Sequence, residues 1–106
     1  MARFQIDLDY LVRFLVDLLN TPSPTGSTDW AVGFVQQELE ALGIPSERTP
    51  KGALVATLEG LRRDRPRAVT AHLDTLGAMV AQIKPNGRLK LAALNGVVWP
   101  TVESEG

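Results

Sequence analysis

The sequence predicts an α/β fold in which two amino-terminal helices precede a mixed β-sheet. Three observations favour this order. Apolar residues recur at helical spacing in the first part of the chain, the spacing changes to that of strands after Pro45, and an Asn-Gly turn follows Pro85 between two apolar runs. The chain has 106 residues, of which 44% are apolar and 22% charged, so its composition is that of one ordinary globular domain.

The first helix is predicted from leucines and valines that repeat every three or four positions over residues 8–19. Asp7 can cap its start, and Asn20 followed by Pro22 marks its end. The next segment, residues 20–27, is rich in turn-forming residues and contains two prolines. It is therefore expected to be a stiff loop.

A second helix is predicted to begin after Thr28, which can cap it, and Asp29 favours its first turn. Gly43 stands where a left-handed residue commonly ends a helix, and Pro45 follows. Its apolar stripe comprises Ala31, Phe34, Val35, Leu39 and Leu42. The acids on or near this helix, which are Asp29, Glu38 and Glu40, are interpreted as its solvent face.

The remainder of the chain shows the patterns of strands. Residues 45–50 have proline at both ends, which suits an edge strand, and residues 53–59 form a second strand that Gly60 ends. Residues 68–71 are short and apolar, as is typical of a strand covered on both faces. The last two runs, residues 77–83 and 88–91, flank Pro85-Asn86-Gly87, so an antiparallel hairpin is expected.

Composition also excludes several classes of function. The formal net charge is -1, so no basic field would attract nucleic acid. No apolar run approaches the ~20 residues that cross a bilayer, and no membrane partner is expected. The chain has no cysteine, which removes disulfides, thiolate nucleophiles and cysteine metal sites. Because the start also lacks a secretory signal, we expect a cytoplasmic protein.

His72 is the single histidine of the chain, and Asp74 lies two residues further on. In an extended segment these two side chains point the same way. A carboxylate beside an imidazole fixes its tautomer and makes the other ring nitrogen a better metal ligand. A position at the carboxyl end of the 68–71 strand would suit an active site. The same three-residue pattern also fits an ordinary surface or capping pair, so both interpretations stay open.

The wider context of this pair resembles a known family. Residues 70–80, Thr-Ala-His-Leu-Asp-Thr-Leu-Gly-Ala-Met-Val, are followed at residues 83–89 by Ile-Lys-Pro-Asn-Gly-Arg-Leu. This sequence resembles the M42 family of metallo-aminopeptidases, often labelled glutamyl aminopeptidase or endoglucanase. Residues 19–26 resemble the loop after the first helix of that family, and the resemblance covers roughly residues 10–105. The M20 group shares a similar His-X-Asp-Thr, but the continuation after the motif and the hairpin favour M42.

The resemblance implies part of a zinc-peptidase catalytic domain, of the phosphorylase/hydrolase-like kind, that removes amino-terminal residues from peptides. It assigns His72 as a metal ligand and Asp74 as the catalytic-site residue that orients it. The complete enzyme would hold two ions, zinc or cobalt, and would form a homo-oligomer. Residues 1–91 would belong to the catalytic domain, and residues 92–106 would lead out toward an absent second domain that mediates dimerisation.

The other ligands of this family, including paired glutamates and a second histidine, come later than the residues present here. Catalytic zinc needs about three protein ligands, and His72 supplies one. Glu103 and Glu105 have no ligand role in the order of the family. We therefore expect a fragment that binds at most one ion weakly and is inactive alone. Members of the family often carry Gly-Asn before the second strand, where this chain has Gly52-Ala53. This difference casts little doubt on the chemistry.

Two alternatives remain, namely a non-catalytic truncated interaction module and a segment of an M20-type deacylase or carboxypeptidase. For the chain itself, an incomplete sheet leaves an unpaired edge and an uncovered apolar face. Self-association is therefore expected. The expected members of that face are Leu73, Leu76, Met79, Val97, Val98 and Trp99.

Overall fold

A computed structural model describes residues 4–103 of the chain. Two helices are followed by four strands and a short 3₁₀ helix, which agrees with the predicted order of an α/β chain. The elements are α1 (Leu8–Leu19), α2 (Asp29–Ala41), β1 (Ser46–Arg48), β2 (Leu54–Ala56), β3 (Gly77–Ile83), β4 (Leu89–Leu94) and a 3₁₀ turn over Trp99–Thr101.

Helix α1 has the boundaries that the sequence predicts. The Asp7 carboxylate accepts a hydrogen bond from the Tyr10 amide at 2.9 Å, and Asn20 is the carboxyl-terminal cap. One side of the helix packs on α2, where the rings of Phe14 and Phe34 stack with centroids 5.3 Å apart. An aromatic contact therefore holds the two helices together.

Helix α2 begins after Thr28 as predicted, although the Thr28 side chain makes no capping hydrogen bond. Gly43 adopts φ +72° just beyond its end, the left-handed geometry that glycine supplies without steric cost. Glu38 was expected on the solvent face, but its carboxylate accepts a 2.6 Å hydrogen bond from the Tyr10 hydroxyl. This acid therefore joins the two helices as well.

The strands form two separate antiparallel pairs. Strand β1 pairs with β2, so that Ser46 lies opposite Ala56 and Arg48 lies opposite Leu54. Strand β3 pairs with β4, so that Gly77 lies opposite Leu94 and Ile83 lies opposite Leu89. The register of the pairing shifts between Val80 and Gln82. The second pair is the hairpin predicted from the Asn-Gly turn, and the paired strands are otherwise shorter than, or offset from, the predicted runs.

Two expectations about the sheet are corrected. The described residues form no single mixed sheet, and their one parallel contact is an isolated bridge between Pro24 and Thr75. Residues 68–71 are not a strand, and Val69 is almost fully exposed. A strand exists only where a neighbour completes its hydrogen-bond ladder, and no described segment pairs with residues 68–71.

The interior is small within the described part of the chain. Its buried residues are Ser23, Ala31 and Val32. The radius of gyration is 18.7 Å, compared with about 13 Å for a compact domain of this length. Within residues 4–103, neither helix has the length and apolarity to cross a bilayer. The role expected for residues 92–106, a connection toward another domain, stays a prediction, and residues 104–106, with Glu105, lie outside the described part.

Candidate functional site

Three segments that are distant in sequence meet around Asp74. The loop after α1 is joined to the His72–Asp74 segment by the bridge between Pro24 and Thr75. At this bridge the Thr75 amide donates to the Ser23 carbonyl oxygen at 2.8 Å. The third segment begins where β4 ends.

The absence of a side chain at Gly77 allows these segments to meet. A Cβ atom at residue 77 would lie 2.8 Å from the Cβ of Pro24, a distance that real side chains do not tolerate. Glycine therefore allows the first residue of β3 to lie against the loop. The Pro-rich loop and the glycine of the motif thus form one junction.

The register of the hairpin brings Asn95 to the same place. Gly77 pairs with Leu94, so the residue after β4 lies beside the segment that precedes β3. Asn95 has φ +53°, a left-handed conformation that asparagine adopts more readily than most other residues. Its side-chain amide nitrogen lies 3.1 Å from Asp74 Oδ2.

His72 and Asp74 contact each other as the sequence predicts. The His72 Nδ1 atom lies 3.0 Å from Asp74 Oδ1 and 3.1 Å from the Asp74 carbonyl oxygen. Both neighbours are acceptors, so Nδ1 carries the proton and donates it. The His72 side chain is 85% exposed, and its Nε2 atom makes no hydrogen bond to a described residue.

The second oxygen of Asp74 is held by two other side chains. Thr25 Oγ1 donates to Asp74 Oδ2 at 2.8 Å, and the Asn95 amide donates to both Asp74 Oδ2 and Thr25 Oγ1, the latter at 3.0 Å. The Thr25 hydrogen bond is the main cause that lowers the pKa of Asp74 below its ordinary value. The charge of His72 acts in the same direction, and partial burial opposes both. The carboxylate is therefore ionised at neutral pH.

An open groove borders Asp74. It has a volume of about 520 Å³ and runs between α2 and residues 71–74, with Thr25 and Asp74 on its wall. Its apolar lining includes Val32, Val35, Leu39, Leu54 and Leu73. His72 is not part of this lining.

The described residues supply one candidate metal ligand here. Within residues 4–103, no group of three or more His, Cys, Asp or Glu side chains is arranged to hold a metal ion. Glu103 is exposed and is not among the hydrogen-bond partners of this site. The site therefore offers the Nε2 atom of His72 and an ionised carboxylate that orients it.

The sequence predicted the contact between His72 and Asp74 but not two of the side chains that join it. His72 and Asp74 lie in an irregular segment before β3, and not at the end of a strand as expected. Thr25 lies in the loop expected over residues 20–27, and Asn95 lies in the segment over residues 92–106 that was expected to lead out of the domain. A signal existed for Asn95, because Asn-Gly directly after an apolar run marks a left-handed turn. The position of Thr25 depends on a bridge that no local pattern indicates.

Comparison with known proteins places this site in a family context. Residues 52–106 match the family model of Peptidase M42, described as M42 glutamyl aminopeptidase. The chain is also 39% identical over 94 residues to a protein of Bacillus subtilis (strain 168) named "Putative aminopeptidase YhfE". That alignment covers 89% of this chain and 27% of the relative. The chain thus spans about a quarter of the length of the relative, and the family match includes His72 and Asp74.

Proposed function

This chain belongs to the M42 peptidase family, and from that membership we propose that it supplies the amino-terminal part of a metal-dependent aminopeptidase. In this proposal His72 contributes one ligand, through Nε2, to a centre that holds two zinc or cobalt ions in the complete enzyme. Asp74 orients that ligand. The substrates are peptides, from which the enzyme removes the amino-terminal residue.

One observation carries the proposal. The His72 Nδ1 atom is engaged by Asp74 at 3.0 Å, while the ring itself is exposed. This contact keeps the proton on Nδ1 and leaves the lone pair of Nε2 directed away from Asp74. A histidine prepared in this way is the usual form of a metal-ligating imidazole.

The residues fit one position of such a centre. Imidazole nitrogen is a good ligand for zinc and for cobalt, and a catalytic zinc site uses three protein ligands. The described residues offer one nitrogen and no group of three candidate ligands. We infer that the other ligands come from residues beyond those described, in agreement with the share of the relative that this chain spans.

The roles of the residues in hand follow from their contacts. Asp74 remains ionised because Thr25 and His72 stabilise its charge, and it accepts the Nδ1 proton of His72 without removing it. The imidazole is held in one orientation as a result. When bound, the metal would polarise the scissile carbonyl group and favour ionisation of the attacking water.

The proposal is tested through the single imidazole of the chain. Zinc added to the chain should shift the ¹⁵N resonance of His72 Nε2 more than that of Nδ1. Asp74→Asn should weaken this binding roughly 10- to 100-fold, because a neutral amide is a poorer acceptor for the Nδ1 proton. Asp64→Asn, which affects an aspartate paired only with Arg62 in an exposed loop, is the matched control and should leave the zinc titration unchanged.

A zinc response that is confined to Nδ1, or that is equal in Asp74→Asn and the parent chain, would contradict the assignment. His72→Ala checks for adventitious ions. Zinc retained by that variant with the affinity of the parent chain would show that the ion is held elsewhere.

Catalysis by the chain alone forms a separate prediction. Because one protein ligand does not hold a catalytic ion in place, the chain should cleave aminoacyl anilides no faster than background with zinc or cobalt present. The assay is release of the anilide chromophore, with and without a chelator. Turnover that the chelator abolishes would show that the chain contains a complete centre.

The family match favours this proposal over the M20-type deacylase or carboxypeptidase. The assignment of residues 1–91 to a catalytic domain, the homo-oligomer and the cytoplasmic location remain parts of the proposal. They rest on the family and the composition of the chain, and not on contacts at His72.

A further inference from the structure

We propose that Thr25 and Asn95 are positioning residues, which aim His72 by fixing the plane of the Asp74 carboxylate. This inference rests on the proposed role of His72 as a ligand. It adds two residues, from the loop after α1 and from the end of β4, to the structure that presents the imidazole.

The geometry of a carboxylate explains why two further residues are needed. The terminal torsion of aspartate is broad, so one hydrogen bond from His72 to Oδ1 does not fix the carboxylate plane. Thr25 and Asn95 both donate to the opposite oxygen, Oδ2, at 2.8 and 3.1 Å. With both oxygens engaged, rotation of the carboxylate would break at least one contact.

The three side chains also form a closed ring of hydrogen bonds. The single hydroxyl proton of Thr25 goes to Asp74, and the Thr25 oxygen accepts from the Asn95 amide at 3.0 Å. This arrangement sets the direction of each donor. The Asn95 amide nitrogen can only donate, so Asp74 is the acceptor that this ring offers to the Thr25 hydroxyl proton.

The backbone conformation of Asn95 does not explain why the residue is asparagine. The residue has φ +53°, a conformation that glycine adopts with no steric cost. The turn alone would therefore be served by glycine. The side-chain amide of Asn95 adds two hydrogen bonds, one to Thr25 Oγ1 and one to Asp74 Oδ2.

The two donors reach Asp74 by independent routes. Thr25 is 49 residues from Asp74 in sequence and arrives through the Pro24–Thr75 bridge. Asn95 is 21 residues away and arrives through the register of β3 and β4. Convergence of two unrelated segments on one oxygen atom is the observation from which we argue a shared role.

The experiment measures the tautomer of His72 in the metal-free chain. Since the chain has one histidine, its two ring nitrogens give unique ¹⁵N resonances, and their shifts report which nitrogen holds the proton. The variants are Thr25→Val, which removes the hydroxyl at nearly constant volume, and Asn95→Gly, which keeps the turn and removes the amide. Thr25→Ser is the matched control, because it keeps the hydroxyl.

We expect the parent chain and Thr25→Ser to show protonated Nδ1, and both Thr25→Val and Asn95→Gly to lose that preference. The amide spectra of α1 and α2 report whether each variant retains its fold. An unchanged tautomer in both variants would overturn the proposal. Loss of the preference in Thr25→Ser would overturn it too, because the methyl group and not the hydroxyl would then be responsible. If Thr25→Val does not fold, Asn95→Gly decides, since glycine suits its backbone.

This readout is independent of metal binding. A chain in which the variants shift the tautomer but zinc leaves Nε2 unaffected would support the positioning role and contradict the proposed function. A chain in which zinc binds through Nε2 while the variants keep the tautomer would support the proposed function and contradict the positioning role.

Discussion

Asp74 uses its two carboxylate oxygens for different partners, and this division is the main chemical feature of the site. Oδ1 faces His72, and Oδ2 faces Thr25 and Asn95. An ordinary exposed His–Asp pair, the alternative left open by the sequence, would not need donors from two distant segments. The geometry therefore favours a built site over a chance surface pair.

At the residue scale, Tyr10 gives a prediction about pH. Its hydroxyl donates to Glu38 at 2.6 Å, and this hydrogen bond, with some burial and the charge of Glu38, raises the pKa of Tyr10 above its ordinary value. The contact therefore stabilises the helix pair fully below about pH 10, the ordinary pKa of the phenol. That stability is lost as the pH rises through the raised pKa.

Tyr10 is the one tyrosine of the chain, so ultraviolet absorbance of the phenolate reports its titration directly. We expect an apparent pKa above the ordinary value in the parent chain and a return toward that value in Glu38→Ala. Glu40→Ala, a change on the exposed side of α2, is the control. Equal titration curves for the parent chain and Glu38→Ala would contradict the assigned contact.

Whether the sequence predicts a contact of the site depends on how far apart along the chain the two residues lie. The His72–Asp74 contact joins residues two positions apart, and alternation along an extended chain was enough to predict it. The contacts of Thr25 and Asn95 depend on a long-range bridge and on the hairpin register. No local pattern indicates the bridge. The turn predicts the hairpin but not the register shift between Val80 and Gln82, which decides the residue of β4 that lies opposite Gly77.

At the element scale, the two helix starts provide a matched pair for a stability measurement. Asp7 makes a capping hydrogen bond to Tyr10, whereas Thr28 occupies the same position of α2 without one. Asp7→Ala should therefore destabilise the chain by about 1 kcal/mol. Thr28→Ala should change its stability by less than about 0.5 kcal/mol.

Circular dichroism of the helices as a function of urea measures both variants. A larger effect of Thr28→Ala than of Asp7→Ala would show that the caps have been assigned wrongly. The comparison also tests whether a capping residue read from the sequence has its physical effect only where the hydrogen bond exists.

The elements themselves were predicted with uneven success, for a physical reason. Both helices and the β3–β4 hairpin depend on caps, periodicity and a turn, all of which are local features. The strand expected at residues 68–71 depends on neighbours on either side. Its apolar composition fits a buried strand, but no described segment provides the pairing.

At the scale of the whole molecule, α1 presents an exposed apolar surface that a closed domain would cover. Six of its apolar side chains are each at least 46% exposed, and they are Leu8, Leu11, Val12, Leu15, Val16 and Leu19. Of the face expected from the sequence, four side chains are well exposed, namely Leu76, Met79, Val98 and Trp99. Leu73 and Val97 are half-buried.

Surfaces of this kind predict self-association of the chain. Burial of exposed apolar area favours association by about 25 cal/mol per Å². Light scattering should therefore show an average mass that rises with protein concentration. Leu15→Glu, within the α1 surface, should lower this mass, whereas Leu61→Glu, at a fully exposed position in the loop before residue 68, should not. A monomer at high concentration, or an equal effect of the two changes, would contradict the prediction.

The bridge between Pro24 and Thr75 has a consequence for the order in which the molecule assembles. Its hydrogen bond closes a segment of 52 residues, whereas the β3–β4 turn is closed between Lys84 and Arg88. Closing the longer segment costs about 2 kcal/mol more in chain entropy, so the hairpin forms early and the bridge late. Local unfolding would release the bridge first, and the Thr75 amide should exchange its hydrogen faster than the amides of β3. The support that Thr25 gives to Asp74 should therefore be lost before the hairpin opens, while the local contact of His72 with Asp74 does not require the bridge.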